Sequence, residues 1–192
     1  MKKEIKKVFR PAIVSLLAMT LLCGFIYPAA VTGAAQVFFP SQANGSIITV
    51  TLKDGTKTSY GSALIAQEFT DARYMIGRPN MTGSIGPSNL SVVSDEEAAL
   101  VKKRAAWLVS LDPENAADIP SDLVTVSGSG VDPNISPEAA RYQASRIAGE
   151  RGISTDAVQA VIDKYTTGRL LGFWGNPAVN VLKVNLALDG LI

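Results

Sequence analysis

Between Pro11 and Leu52 the chain carries no charged residue, and within that stretch Ala12 to Ala35 reads AIVSLLAMTLLCGFIYPAAVTGAA. No other feature constrains folding as strongly. Hydrocarbon offers backbone N–H and C=O groups no partner, so a run of this kind in a bilayer must be helical. At about 1.5 Å per residue it rises about 36 Å, enough to cross a bilayer core of about 30 Å with some tilt. Tyr27 and the pair Phe38-Phe39 stand where aromatic side chains sit at the far interface. A cleaved signal peptide is the rival reading, because a basic segment precedes the run and small residues lie near Ala34. Signal peptides have apolar regions of roughly 7 to 15 residues, so the greater length here favours a retained anchor. Leu22, before Cys23, also lacks the small side chain that lipoprotein processing requires.

Charge orients the span. Lys2, Lys3, Lys6, Lys7 and Arg10 stand against Glu4 alone, whereas the rest of the chain is slightly acidic. Positive charge beside a first span stays cytoplasmic. The expected layout is a basic cytoplasmic N-terminus at 1–10, a transmembrane helix at 11–35 and an extracytoplasmic domain at 36–192. The exported part has no basic stripe, which argues against a nucleic-acid partner; membrane lipid is the expected surrounding of the span.

The chain has no histidine and one cysteine, Cys23. Ser-His and Cys-His dyads, imidazole metal ligands and thiolate-rich zinc sites are therefore excluded. No catalytic residue and no metal site is expected, and an anchored exoenzyme would have to work with carboxylates alone.

The exported domain reads as mixed α/β (α+β). Ile47 to Leu52 and Thr56 to Tyr60 flank an Asp54-Gly55 turn and predict a hairpin, after a turn-rich lead at 38–46. Ser62 to Phe69 suggests a short helix, and the Gly-, Pro-, Asn- and Ser-rich residues 77–91 suggest a loop. Ser94 with Glu97 forms a capping box for a helix that Asp112-Pro113 stops. Residues Asp122 to Val126 read as a short strand. Ser136-Pro137 opens a helix ending at Gly152, and Ser154 opens another bearing Val158, Val161, Ile162 and Tyr165. In VNVLKVNLAL, Leu182, Val184, Leu186 and Leu188 alternate, which predicts a terminal strand.

The sharpest site candidate is Ser127-Gly128-Ser129-Gly130 ahead of the Ser136 helix, since a Gly-rich approach to a helix N-terminus can cradle phosphate. The chain nevertheless has no phosphate-loop or dinucleotide fingerprint and no lysine near Ser129, and Asp132 intervenes. These residues favour a pair of turns, the second at Asp132-Pro133-Asn134. Arg73 and Arg78 read equally as a clamp for an anion or a partner carboxylate and as solvated or structural arginines holding a loop. Trp107, Phe173 and Trp174 read as core or contact residues rather than a ligand cage.

The strings GSALIAQEF (61–69), YMIGRPN (74–80), GPSNL (86–90), DLVTVSGSGVDPNISPEAARYQASRIA (122–148) and GFWGNPAVNVLKVNLALD (172–189), in that order, carry a family resemblance. The chain resembles the C subunits (KdpC) of the bacterial Kdp high-affinity potassium-transporting ATPase. That resemblance implies an accessory, non-catalytic subunit of the bacterial inner membrane, needed for assembly and activity. Its partners would be a channel-like potassium-uptake subunit, a P-type ATPase subunit and a small stabilising subunit. The resemblance also implies a proposed role as a catalytic chaperone that raises ATP affinity, in which Gln143 contacts the nucleotide after the Ser127–Gly130 loop. ATP enters only by this route; the residues themselves imply no cofactor. The external topology favours a structural role, with the domain capping the uptake subunit, over a nucleotide-binding helper.

Overall fold

The computed structural model describes residues 2–79 and 86–192, and the chain divides after Ser46 into two compact units. In the first, α1 (Lys2–Leu21), a π-helical turn (Leu22–Ile26) and α2 (Tyr27–Phe38) follow one another without a break. The π turn has a local cause. Pro28 cannot donate a hydrogen bond, and its ring crowds the carbonyl four residues earlier, at Gly24. The ladder widens there, and the Tyr27 N–H reaches Leu22 O instead. From Lys7 to Phe38 the helical stretch is long and apolar enough to cross a membrane, and its most apolar window is not buried against the described chain.

The expected span at 11–35 therefore lies inside a helical stretch that runs three residues further, to Phe38. The lead expected to be turn-rich begins with a single helical turn, α3 (Pro40–Ala43). Asn44 closes it by donating to Pro40 O at 2.7 Å and to Gln36 Oε1 at 3.0 Å.

In the second unit, β1 (Ile47–Thr51) and β2 (Lys57–Ser62) form the expected antiparallel hairpin, with a register irregularity between Ile48 and Thr49. The Asp54 carboxylate accepts from Thr56 N at the turn, and that bond holds its pKa below the ordinary value. Ser62 to Phe69 is not helical. Its donors are used elsewhere: Ala66 N bonds Val131 O at 2.9 Å, and Gln67 Nε2 bonds Tyr60 O at 2.6 Å. Of the loop expected at 77–91, the described residues form neither helix nor strand; residues 80–85 lie outside the description.

Helix α4 (Asp95–Leu111) begins where expected, with Ser94 Oγ accepting from Glu97 N at 3.2 Å. Asp95, Glu96 and Glu97 occupy its first turn, where negative charge is favourable. The strand expected at 122–126 is instead a 3₁₀ turn, Ser121–Leu123. It turns because the Asp122 carboxylate accepts from Ser136 N at 2.7 Å, while Leu123 is buried.

Two-residue β3 (Asn134–Ile135) precedes α5 (Pro137–Tyr142) and α6 (Ala144–Arg151). These are the single helix expected from Ser136 to Gly152, interrupted at Gln143. Next come α7 (Thr155–Lys164), capped by Ser154, then β4 (Thr166–Thr167) and β5 (Ala178–Asn180). The sheet order is β3-β5-β4, antiparallel throughout.

The last element corrects the sequence reading. Only Ala178–Asn180 is strand, and α8 (Val181–Leu188) follows, with Asn180 Oδ1 accepting from Lys183 N at 3.1 Å. Leu182, Val184 and Leu186 satisfy an alternating pattern, but Val181, Val184, Asn185 and Leu188 also stand at helical spacing. The asparagine cap and burial on more than one side select the helix: Val181, Leu182, Val184, Asn185 and Leu186 are all buried. The core gathers Met75, Leu123, Ile147, Val158, Ile162, Val179 and Val184 between the helices and the small sheet.

Candidate functional site

The Ser127–Gly130 segment is a tight turn. Gly130 N donates to Ser127 O at 3.1 Å, and the two serine hydroxyls lie 3.3 Å apart. Gly130 has φ +70, and a Cβ there would fall 1.9 Å from Gly86 O, so the turn packs backbone against backbone. Asp132 Oδ1 then accepts from Asn134 N, closing the second turn. The Ser136 hydroxyl caps α5 by accepting from Ala139 N at 3.0 Å.

Gln143 lies deep in the domain, 1% exposed. Its Oε1 accepts from Ile76 N at 2.8 Å, and its Nε2 donates to Ile76 O at 3.0 Å. Because one Ile76 group donates and the other accepts, the amide orientation is determined. Nε2 also donates to Ala139 O at 3.1 Å, the carbonyl that Gln143 N would take in an unbroken helix. That N–H turns to Ala140 O instead. The break between α5 and α6 thus comes from a side chain that bonds backbone groups on both sides. Among the described residues, no hydrogen bond joins Gln143 to the Ser127–Gly130 turn.

Asn185 of α8 performs the same operation one residue earlier, accepting from Met75 N at 2.8 Å and donating to Met75 O at 2.9 Å. Two consecutive core residues, Met75 and Ile76, are therefore held by side-chain amides, one from α8 and one from the break between α5 and α6, as strands on either side of an extended segment would hold them. Such buried backbone groups must be paired somewhere. Arg146 extends the clamp, donating to Ala72 O, to Tyr74 O at 3.2 Å and to Gln143 Oε1 at 2.8 Å. Burial pulls the Arg146 pKa below its ordinary value, while Asp112, Glu150, Tyr142 and Asp71 oppose the shift. Sequence reading singled out Gln143 but missed Arg146 and Asn185. The available signal was a polar side chain inside an apolar helical stripe, which must carry its hydrogen-bond partners into the core.

Of the two candidate arginines, Arg78 is structural and Arg73 is half exposed. Arg78 donates to Thr125 O and Val126 O, both at 3.2 Å, fastening the chain ahead of the Ser127 turn. Arg73 reaches Asp189 only at 3.9 Å, whereas Arg151 meets that carboxylate at 2.9 Å and also donates to Leu188 O at the end of α8. Tyr74 lies under both guanidiniums and donates to Asp189 Oδ2 at 3.2 Å.

Beside Ile76 opens a recess of about 460 Å³, lined by Phe69, Ile76, Arg78, Leu100, Arg104 and Trp107 among others. Its Arg104 is committed to Val124 O and Glu97 and its Arg78 to Thr125 O and Val126 O, while Lys103 and Glu68 also border the recess. Trp107 is 37% exposed, and Phe173 and Trp174 are largely exposed, so none of the three belongs to the core. Among the described residues, no group of three or more Cys, Asp or Glu side chains is placed to hold a metal ion.

Among the described residues, these features define a chain with an exposed apolar helix long enough to cross a membrane and an α+β domain whose buried side-chain amides serve its own scaffold. The model of the family described as "KdpC: K+-transporting ATPase, c chain" matches residues 9–190. A potassium-transporting ATPase KdpC subunit of Listeria monocytogenes is 52% identical over 189 residues, covering 98% of both chains. One from Clostridium perfringens is 50% identical, covering 97% of this chain and 98% of its own. Another from Methylococcus capsulatus is 48% identical, covering 95% and 97%. The chain belongs to the KdpC family.

Proposed function

We propose that this accessory subunit of a potassium transport complex is non-catalytic and acts by supporting the assembly and activity of the complex. The observation that carries the reading is the helix from Lys7 to Phe38, whose most apolar part the described residues do not bury. Its partners are the channel-like potassium-uptake subunit, the P-type ATPase subunit and a small stabilising subunit, against which the helix packs. The basic N-terminus is cytoplasmic, and the domain from about residue 36 caps the external side of the uptake subunit. The test is co-purification from membranes with a chain lacking residues 1–35. Loss of association is expected; a complex of full activity containing the truncated chain would overturn the proposal.

The same reading assigns Gln143 to the scaffold and the Ser127–Gly130 turn to backbone packing. A nucleotide contact by Gln143 would require its amide to give up its bonds to Ile76, Ala139 and Arg146. Calorimetric titration of the full chain with ATP, wild type against Gln143→Ala, discriminates. Binding lost only in a folded variant would assign the function to a nucleotide-binding helper.

A further inference from the structure

The hairpin that joins β4 to β5 displays Leu170, Leu171, Phe173 and Trp174, which are 67%, 77%, 71% and 69% exposed. Four large apolar side chains in five residues, all turned to solvent, form a patch of the kind that marks a contact surface. The loop has a defined shape. Leu170 N donates to Trp174 O at 2.8 Å and Trp174 N to Leu170 O at 2.9 Å, closing the tip on itself. Leu171 has φ 54 and Gly172 φ 82. A leucine at positive φ is costly, and such strain persists where the surroundings or a function require it.

The charge of the segment that carries this tip is one-sided. Between Asp163 and Asp189 there is no carboxylate, while Lys164, Arg169 and Lys183 are all present. Lys164 and Lys183 border one recess at the base of the hairpin, together with Thr166, Thr167 and Asn180. An apolar tip with aromatic residues above a cationic collar is the composition of an interfacial membrane anchor. The self-paired backbone at the tip lets it leave water without stranding the N–H and C=O groups of Leu170 and Trp174. The tether also limits the domain's distance from the bilayer. Helix α2 ends at Phe38 and β1 starts at Ile47; the nine steps between them reach at most about 32 Å when fully extended.

We propose that residues 169–174 insert into the membrane interface as a second, shallow anchor, with Lys164, Arg169 and Lys183 facing anionic lipid headgroups. The proposal rests on the helix from Lys7 to Phe38 spanning the same bilayer. The chain has two tryptophans, so Trp107→Phe leaves Trp174 as the only tryptophan, excited selectively at the red edge where tyrosine does not absorb. This variant is reconstituted at one chain per nanodisc, in phosphatidylcholine with or without phosphatidylglycerol, with brominated or plain acyl chains.

The expected result is blue-shifted Trp174 emission, quenching by the brominated lipid and several-fold weaker quenching by acrylamide. Removing phosphatidylglycerol, or replacing Lys164, Arg169 and Lys183 together by Ala, should weaken all three effects. Water-like emission without lipid quenching would overturn the proposal. Protection from acrylamide without lipid quenching would do so too, since it would mean that protein covers the tip. Retention of the chain in the disc, read by size exclusion, reports the span separately. If Trp107→Phe disturbs the fold, a polarity-sensitive label at Leu171→Cys in a Cys23→Ser chain gives the same readout.

Discussion

Replacing Gln143 by alanine should be among the most damaging single changes available in the domain. It deletes the partners of Ile76 N–H and Ile76 C=O, which lie in a residue 6% exposed. It also removes one acceptor from Arg146, at 2.8 Å. A buried backbone group left unpaired costs about 1–3 kcal/mol. Two such groups give a loss of about 4 kcal/mol, a large share of the roughly 5–15 kcal/mol by which a domain is stable. With a urea slope of about 2 kcal/mol/M, the midpoint should fall by about 2 M. The assay is urea unfolding of the full chain in detergent, followed by far-UV circular dichroism. The apolar helix stays folded in the micelle, so the change reports the domain. Gln143→Met retains much of the side-chain volume and removes the bonds, so it should lose most of the same stability. A Met variant within about 0.5 kcal/mol of wild type, the range of ordinary surface changes, would refute the reasoning.

Gly130→Ala places a Cβ 1.9 Å from Gly86 O at φ +70. It should cost about 2 kcal/mol or more in the same unfolding assay, whereas Gly128→Ala, with open space around it, should be close to neutral. Tyr142 supplies a pH dependence. Burial, followed by the charge of Asp112, raises its phenol pKa above the ordinary value of 10.0. The folded state therefore retains the proton longer than the unfolded chain. The associated stability is fully present below about pH 10 and is lost as pH rises through the raised value. Tyr142→Phe should flatten that alkaline fall, as measured by urea midpoints between neutral and strongly alkaline pH.

Local rules were enough where an element depends on its own ends. The caps at Ser94, Ser136 and Ser154 and the Asp54-Gly55 hairpin were legible because each is a short-range hydrogen-bond pattern. They were insufficient where distant partners decide. Ser62 to Phe69 has helix-compatible residues, yet its groups bond Val131 and Tyr60. Residues 122–126 carry β-branched side chains, yet Asp122 is drawn to Ser136. In residues 181–188 the alternation that suggested a strand fits a helix equally well, and Asn180 decides between them by capping. The candidate site divides in the same way. The Ser-Gly turn was visible as a turn, but the role of Gln143 depends on Ile76, which lies sixty-seven positions away in the chain.

By itself, the sequence determined the apolar helix, because an uncharged run of that length leaves hydrocarbon or a core as its only environments, and helical hydrogen bonding as its way to satisfy the backbone. It also determined the cap-defined helices, and the absence of histidine excluded imidazole chemistry. Only the tertiary structure decided that Met75 and Ile76 pass through the core without a partner strand. A side-chain amide can replace a β-ladder only when two helices bring Gln143 and Asn185 to the same stretch of backbone, and no local pattern in either helix records where the other will pack.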